Sequence, residues 1–508
     1  MKGMKQMSTG EEMMRGARQI LKSRFGLDAF REGQAPIIAA LLEGRDVFAV
    51  MPTGSGKSLC YQLPGYLLPG TVLIVSPLLS LMEDQVTSLR RLGERRVRAL
   101  NGMIHPAERK RILACADHFR FLFVSPEMLR QGQVINALRQ VRFSLFVVDE
   151  AHCISQWGYD FRPDYLHLSE VRAALGNPVC LALTATADRR VRRDIVRNLH
   201  LEAAFRYRRS VDRPNITLMV REAADDAEKT RDLLRLLGRS RLPGLVYCLN
   251  RKSTERLARL IQAQLGLRTA FYHGGLPAED RRKIQNQFLS DDLDLVCATS
   301  AFGMGINKPD IRLVVHFHYP ASLNNYLQEV GRAGRDGDRG LAVLLHTPAD
   351  DRLPIRLIEK NFPTPDQLKS ALHRLSSGEL SSANRPHFVE TMQQEGVSES
   401  AARFILDRAE STVSEETLYR HCLRQIRQRR LLQRRDLDHM RTWIACRGCR
   451  REALLRFFDE TLDRHSRLCC DHCGARVEDF RRRRPLVLGI RGEKHWRQRL
   501  DRLLPARS

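Results

Sequence analysis

Arg45-Asp-Val-Phe-Ala-Val50, Met51-Pro-Thr-Gly-Ser-Gly56 and Lys57-Ser-Leu-Cys-Tyr-Gln-Leu63 follow one another without a break. The first is apolar and β-prone, and the last opens a helix. The turn between them is a phosphate cradle. Gly54 and Gly56 let the backbone bend tightly, so that N–H groups from Thr53 through Ser55 to Ser58 and the helix N-terminus point at phosphate oxygens. Lys57 supplies a point charge for the β- and γ-phosphates, and the Ser58 hydroxyl a ligand for Mg²⁺. The strict G-x-x-x-x-G-K-[ST] pattern fails, because Met51 stands where its first glycine belongs. A ligand-free Gly-rich turn is the alternative for this segment alone, and two further segments argue against it.

Phe143-Ser-Leu-Phe-Val-Val148 has the continuous apolar character of a buried parallel strand, and Asp149 and Glu150 stand at its carboxyl end. Ligands bind there in open α/β sheets. Asp149 is expected to hold Mg²⁺ through water, and Glu150 to orient and deprotonate an attacking water. A carboxylate pair capping the next helix is the alternative. It leaves the Lys57 cradle without a metal partner. Farther on, Gln328-Glu-Val-Gly-Arg-Ala-Gly-Arg335-Asp-Gly337 carries Arg332 and Arg335, three apart and on one face if the segment is helical. One of them can reach a γ-phosphate across a domain cleft; a solvated basic turn is the other reading.

Strand-like runs with helical patterns between them fall into two sets. The first holds 46–50, 71–76, 121–125, 145–149 and 178–184; the second holds 244–248, 269–273, 293–298, 312–316 and 341–346. Such alternation predicts an α/β protein of two tandem, doubly wound parallel-sheet lobes, divided near Phe205–Asn215. The cradle and the carboxylates lie on the first and the arginines on the second, so hydrolysis of a nucleotide held between them would be coupled to lobe opening and closing.

Composition narrows the partners. A chain of 508 residues has room for two to four domains. Its formal charge of +25 predicts a polyanion, and 420–508 carries 25 Lys and Arg against 11 Asp and Glu. No apolar run is long enough to span a bilayer, so no membrane partner is expected. Residues 1–16 mix charged residues with methionines and have no apolar h-region, which predicts a cytoplasmic protein, nucleoid-associated if bacterial.

Over nearly its whole length the chain resembles RecQ-family DNA helicases of superfamily two. The stretches that carry the likeness are Phe25-Gly-Leu-Asp-Ala-Phe-Arg31-Glu-Gly-Gln34, Asp149-Glu-Ala-His-Cys-Ile-Ser-Gln-Trp157-Gly-Tyr-Asp-Phe161-Arg162-Pro163 and Ala301-Phe-Gly-Met-Gly-Ile-Asn-Lys-Pro309. The resemblance implies RecA-like lobes and ATP-driven 3′→5′ unwinding of duplex DNA by a monomer acting in recombination and repair on single-stranded, forked or junction DNA. It implies that Gln34 meets the adenine edge, with Arg31 and Phe25 close to the nucleotide. Trp157, Phe161 and Arg162 would lie on a loop linking DNA contact to hydrolysis, and Arg335 is the better finger candidate beside Arg332. Tyr159 stands where the family commonly has His, which puts the strength of that coupling in question. Core packing is the bland reading of Trp157 and Phe161. Ser76, Asn101, Thr184, Thr186, His273 and Thr299 fall at or near strand ends, and suit phosphate contacts along a DNA track; the alternative for Thr184 and Thr186 is sheet-end residues that satisfy each other. An RNA helicase would share the nucleotide motifs. A zinc-bearing DNA-binding protein with residual ATPase is the non-enzymatic rival.

Five of the twelve cysteines cluster at 446, 449, 469, 470 and 473; the other seven are scattered singly and read as small core residues. In a cytosolic chain such clustering points to metal. Family members open a zinc site with a Cys-Arg-Arg helix, matched by Cys449-Arg-Arg-Glu-Ala-Leu-Leu-Arg-Phe-Phe458; carried over, the Zn²⁺ ligands are Cys449, Cys469, Cys470 and Cys473. Spacing alone offers Cys446-x₂-Cys449 with Cys470-x₂-Cys473 instead. His465 and His472 are spare ligands by position, and read as surface histidines otherwise.

The expected units are lobe one at 1–208, lobe two at 209–350, a helical, possibly winged-helix-like insert at 351–440, a zinc module at 441–480 and a basic tail at 481–508. Within the insert, Thr364, Pro365 and Gln367 spell a capping box with proline at the first helical position. A basic run at 418–432 follows, and Arg427, Arg429 and Arg430 are expected to contact duplex DNA, the alternative being a helical strut. The resemblance is to a short form, without the winged helix and further helical domain that follow the zinc module in long members. The tail is read either as a solvated charge run or as a sequence-blind DNA grip.

Overall fold

Short apolar strands separated by amphipathic helices can bury both strand faces only by stacking in parallel, with the helices laid on either side. In the computed structural model this happens twice. The structure describes residues 9–155, 162–302, 308–381, 384–409 and 414–481. Lobe one is built on β1 (Val47–Val50), β2 (Thr71–Val75), β3 (Val97–Leu100), β4 (Phe121–Val124), β5 (Phe143–Val148), β6 (Val179–Thr184) and β7 (Phe205–Arg208). They form one sheet in the order β3-β4-β2-β5-β6-β1-β7, with every pairing parallel. Lobe two uses β8 (Ile216–Glu222), β9 (Gly244–Tyr247), β10 (Thr269–Tyr272), β11 (Leu295–Ala298), β12 (Leu313–His316) and β13 (Gly340–His346), in the parallel order β10-β11-β9-β12-β13-β8.

The order of lobe one is what assembles a site. β5, β6 and β1 are consecutive, so the residues at their carboxyl ends, Asp149, Thr184 and the Met51–Ser58 turn, lie side by side. Central strands such as β1, β2 and β4 are buried at every position, as continuous apolar runs require. Strands β3, β7 and β8 were not read from the sequence. β7 is Phe-Arg-Tyr-Arg, an edge strand that alternates half-buried and exposed residues. β8 lies inside the interval that begins lobe two, and its ladder with β13 seals that sheet.

After β13 the chain is helical through Arg352–Lys360, Pro365–Ser376, Arg385–Gln394, Glu399–Ala409 and Glu415–Ile444, with no strand among the described residues of this stretch. The capping box forms as read: Gln367 N–H donates to Thr364 Oγ1 at 3.2 Å, and Thr364 N–H to Gln367 Oε1 at 3.0 Å. Phe362, Leu372, Phe388, Ile405, Leu418 and Ile426 close a core of their own. The 30-residue helix Glu415–Ile444 then carries Leu437, Met440, Trp443 and Ile444 into the core of lobe two. The expected border at 440/441 therefore falls within this helix.

The cysteine segment completes lobe two from its edge. Leu468–Asp471 lies along β8: Leu218 N–H donates to Cys469 O at 3.3 Å, Thr217 Oγ1 to Leu468 O at 2.5 Å, and Val220 N–H to Asp471 Oδ2 at 3.0 Å. An open sheet edge is thereby covered.

Candidate nucleotide and metal sites

The turn after β1 takes the shape its glycines permit. Gly54 and Gly56 have φ of +83° and +82°, a region costly for residues with a Cβ. A Cβ on Gly56 would meet Gln34 Nε2 at 2.5 Å, so a larger residue there would displace the Gln34 amide. Met51 continues β1, donating its N–H to Thr184 O at 2.9 Å, and its sulfur lies 4.0 Å from Cys60 Sγ in the core. The side chain points away from the cradle, which is why a large residue fits where the strict motif has glycine. Ser58 is the N-cap of the helix Leu59–Leu67, and its hydroxyl makes no capping bond. The Ser58 hydroxyl is therefore not engaged in capping its own helix.

Glu150 follows β5 in the left-handed conformation, φ +49° and ψ +48°. Its Oε1 lies 4.0 Å from Lys57 Nζ, and Oε2 lies 3.3 Å from His152 Nδ1, buried with no conventional hydrogen-bond partner. Burial alone would push the carboxyl up, but Lys57, His152 and Arg332 together hold it down at about 2. Asp149 goes the other way, to about 6, because burial and the adjacent Glu150 charge both oppose its ionisation. A buried carboxylate held in that state fits a divalent cation. His152 Nδ1 also lies 3.0 Å from Thr184 Oγ1, which donates to Thr186 O at 3.0 Å. Thr184 is fully buried in this chain of contacts and not available to a phosphate. Ser76, Asn101, His273 and Thr299 directly follow β2, β3, β10 and β11.

Gln34 and Arg31 grip the cradle from outside. Gln34 Nε2 donates to Ser55 O at 3.2 Å and Gly56 O at 3.1 Å, while its Oε1 accepts from Arg31 N–H at 2.8 Å. Arg31 Nη1 donates to Gly54 O at 2.8 Å. Phe25 is half-buried and meets the Tyr66 ring edge-on at 6.1 Å, part of the apolar cluster that seats the helix Leu59–Leu67.

Lobe two closes against this surface. The helix Leu323–Val330 ends at Gly331, so Arg332 and Arg335 lie in a turn and not on a helical face as the spacing had allowed. Gly331, Gly334 and Gly337 punctuate it, the last two at positive φ. Arg335 packs on Gly54 so closely that a Cβ there would come within 3.2 Å of its Cγ. Thr53 Oγ1 donates to Gly331 O at 3.2 Å across the cleft. Burial, with Arg332 and Arg213 nearby, pulls the Arg335 guanidinium down to about 9, the signature of cations gathered where an anion would relieve them. Arg213 escaped the sequence reading. It sits between β7 and β8 and reaches both the cradle and the arginine turn; the only signal was its place in the stretch that divides the lobes.

The cysteines at 449, 469, 470 and 473 place their sulfurs within 4.8 Å of one another. Sγ separations are 3.6 Å for Cys449–Cys469, 4.0 Å for Cys449–Cys470 and 3.5 Å for Cys470–Cys473. Four thiolates tetrahedral about one Zn²⁺ would be roughly 3.8 Å apart, so the donor set and spacing fit. Arg451 Nε points at Cys469 Sγ from 3.3 Å, a positive partner for a thiolate. Cys446 is outside this group, its thiol turned to Gly448 O at 3.6 Å, and His465 Nδ1 lies 3.9 Å from Cys473 Sγ. Six of the seven scattered cysteines are buried, Cys115 partly so. Arg162 donates its N–H to Cys153 O at 2.9 Å and lies 3.7 Å from Glu127; Trp157 and Phe161 are outside the described residues, as is the tail beyond Arg481. Among the described residues no helix is long and apolar enough to cross a membrane.

Two family models match, DEAD/DEAH box helicase over residues 31–195 and Helicase conserved C-terminal domain over 228–337. A probable ATP-dependent DNA helicase RecS of Bacillus subtilis is 44% identical over 458 residues, 90% of this chain and 91% of the relative. The ATP-dependent DNA helicase RecQ of Haemophilus influenzae is 40% identical over 71% of this chain, and the chain spans only 58% of that relative. Among solved structures, the DEAD-box helicase Mss116 bound to ssRNA and UDP-BeF aligns with a TM-score of 0.56 at 16% identity, over 85% of this chain and 93% of its own. The DUF1998 helicase MrfA bound to DNA and AMPPNP aligns at 0.55 with 20% identity, over 69% of this chain and 52% of its own. At such identities the likeness shows the fold alone.

Proposed function

Because the chain belongs to the RecQ family of ATP-dependent DNA helicases, we propose that it hydrolyses ATP between its lobes to translocate 3′→5′ and unwind forked or junction duplexes. The observation that carries the reading is the contact of the arginine turn with the cradle, Arg335 on Gly54 and Thr53 on Gly331. In this assignment the N–H groups of the Thr53–Ser58 turn hold the phosphates, and Lys57 neutralises the β/γ pair. Ser58 and Asp149 would hold Mg²⁺, which supplies charge neutralisation at the transferring phosphate. Glu150, held ionised by nearby Lys57, would accept a proton from the attacking water. Arg335 is the finger and Arg332 a second phosphate contact. Gln34 would turn from the Ser55 and Gly56 carbonyls to meet adenine, with Arg31 and Phe25 alongside. Zn²⁺ on Cys449, Cys469, Cys470 and Cys473 has a structural role, since no fifth donor or open position is needed for it.

The loop of Trp157, Phe161 and Arg162 is assigned to coupling, and work in recombination and repair by a monomeric, cytoplasmic enzyme is supported by the family resemblance alone. Duplex contact is assigned to the long helix, with one change of residues. Arg429 and Arg430 lie over the Phe404 and Phe362 rings at 5.5 and 5.8 Å and serve the helical core. The exposed stripe is instead Arg420, Arg424, Arg427, Arg434 and Arg435, spaced so as to share a face, with Leu431 69% exposed among them. Its charge suits phosphate backbone.

The test is DNA-stimulated ATPase and strand displacement with Lys57→Ala and Glu150→Gln. Each should lose turnover by about 100-fold or more while DNA affinity stays near wild type. Near wild-type turnover in either variant would refute the assignment of the cleft.

A further inference from the structure

The nucleotide cleft and the cysteine cluster meet at the chain that joins the two lobes. Arg213 lies on that chain. Its Nη1 donates to Thr53 O at 3.1 Å and Gly331 O at 3.1 Å, and its Nη2 to Ala333 O at 3.1 Å and Gly334 O at 2.7 Å. One carbonyl belongs to the phosphate cradle and three to the arginine turn. A planar fork with five donors can hold four carbonyls in fixed relation; an ammonium cannot.

The same chain is held from the other side by Arg451, which is only 5% exposed. Its Nη1 pairs with Asp212 and donates to Arg213 O at 3.0 Å, and its Nη2 donates to Ile216 O. Its Nε faces Cys469 Sγ at 3.3 Å. Glu460, just past the same helix, accepts from Arg208 Nη2 at 2.8 Å, Ser210 Oγ at 2.6 Å and Val211 N–H at 3.1 Å. The connection between the lobes is therefore gripped by the cysteine module along 208–216. A void of about 20 Å³ remains at the joint, lined by Asp212, Arg213, Leu327, Val330, Arg451 and Leu455. It borders the helix that leads into the arginine turn, and leaves that contact room for a small adjustment.

We propose that Arg213 is a positioning residue for ATP hydrolysis, and that Arg451 sets its place from the cysteine module. The seating of that module on the interlobe chain then fixes the register of the cradle against the arginine turn. This rests on the reading of the cleft as an ATPase.

The experiment uses the full-length, zinc-loaded protein with Arg213→Lys, Arg451→Lys and the double variant. Zinc per chain, the thermal midpoint, the Kd of a fluorescent ATP analogue, and kcat and KM for DNA-stimulated hydrolysis are measured. Arg213→Lys should lower kcat by about 10- to 100-fold, since loss of near-attack geometry is what is removed. Its zinc content should match wild type and its KM should stay within about threefold, while its midpoint drops modestly as the freed carbonyls lose partners but stays well above the assay temperature. Arg451→Lys keeps a cation beside Cys469, so zinc should be retained while kcat falls by a similar factor. The double variant should fall no further than the weaker single one, because both act through one connection. Losses that multiply in the double variant, or unchanged kcat in either zinc-loaded single variant, would overturn the proposal. If Arg451→Lys sheds zinc, Asp212→Asn replaces it, removing the charged linker partner without touching a cysteine, and must give the same loss of kcat. A wild-type protein without DNA-stimulated hydrolysis would instead defeat the reading of the cleft, a distinguishable result.

Discussion

Gly334 shows how much of the cleft depends on single backbone positions. Its φ is +53°, and a Cβ there would sit 2.3 Å from Asp338 O and 2.5 Å from Asn215 Nδ2. Gly334→Ala should cost at least ~1–2 kcal/mol from the left-handed backbone alone, before the clash with a carbonyl is counted. Gly132, with open space around it, should accept alanine at little cost. Thermal or denaturant unfolding of the two variants checks this; equal midpoints would mean that the arginine turn relaxes freely. That Lys57 and Ser58 follow one strand, and Asp149 and Glu150 another, was legible because each strand and the turn after it form a local pattern. Arg213 was not, since its four acceptors are backbone carbonyls from distant segments and leave no trace in residue types. Gln34 was assigned to adenine from the resemblance, and the structure adds what spacing cannot show, that its amide is engaged by the cradle.

Two elements invite separate tests. In the cysteine module, Cys449→Ser and Cys469→Ser should each abolish binding of one zinc per chain and destabilise the module, because structural zinc affinity is folding free energy. Cys446→Ser should retain the metal, as its sulfur lies outside the cluster. Zinc lost from Cys446→Ser and kept by Cys469→Ser would favour the paired-knuckle alternative that spacing had offered. In the helix Glu415–Ile444, removing Arg424, Arg427 and Arg435 should flatten the salt dependence of duplex binding by about one unit of slope per arginine, and leave single-strand-stimulated ATPase intact. Arg430→Ala should act on stability instead, through its Phe362 contact. An unchanged slope in the triple variant would reduce the helix to a strut. Its 418–432 portion was readable from charge and apolar spacing, while its continuation to Ile444 was not. Which arginines face outward was not, because the packing of Phe404 and Phe362 against it is set by helices elsewhere in the chain.

At the scale of the whole molecule, the sequence pattern gave the two-sheet architecture because buried parallel strands are continuous apolar runs. It missed β3, β7 and β8, each placed at or beside a sheet edge where half-buried or charged residues break that run. The contacts of the cysteine module with the two lobes were invisible in the sequence. The cysteine module touches lobe one through Asp459 and Arg192 at 3.1 Å, grips the interlobe chain through Glu460, and extends β8 of lobe two. In the proposed mechanism, lobe motion would therefore work against, or through, this module. The central claim is that ATP held between Lys57 and Arg335 drives unwinding with one polarity. Strand displacement on 3′-tailed, 5′-tailed and forked DNA, beside matched RNA duplexes, tests it most directly, with wild type compared to Arg335→Ala. The account predicts that wild type opens 3′-tailed and forked DNA only with hydrolysable ATP, and that Arg335→Ala binds both yet opens neither. Equal opening of 5′-tailed DNA, preference for RNA, or full activity in Arg335→Ala would contradict it.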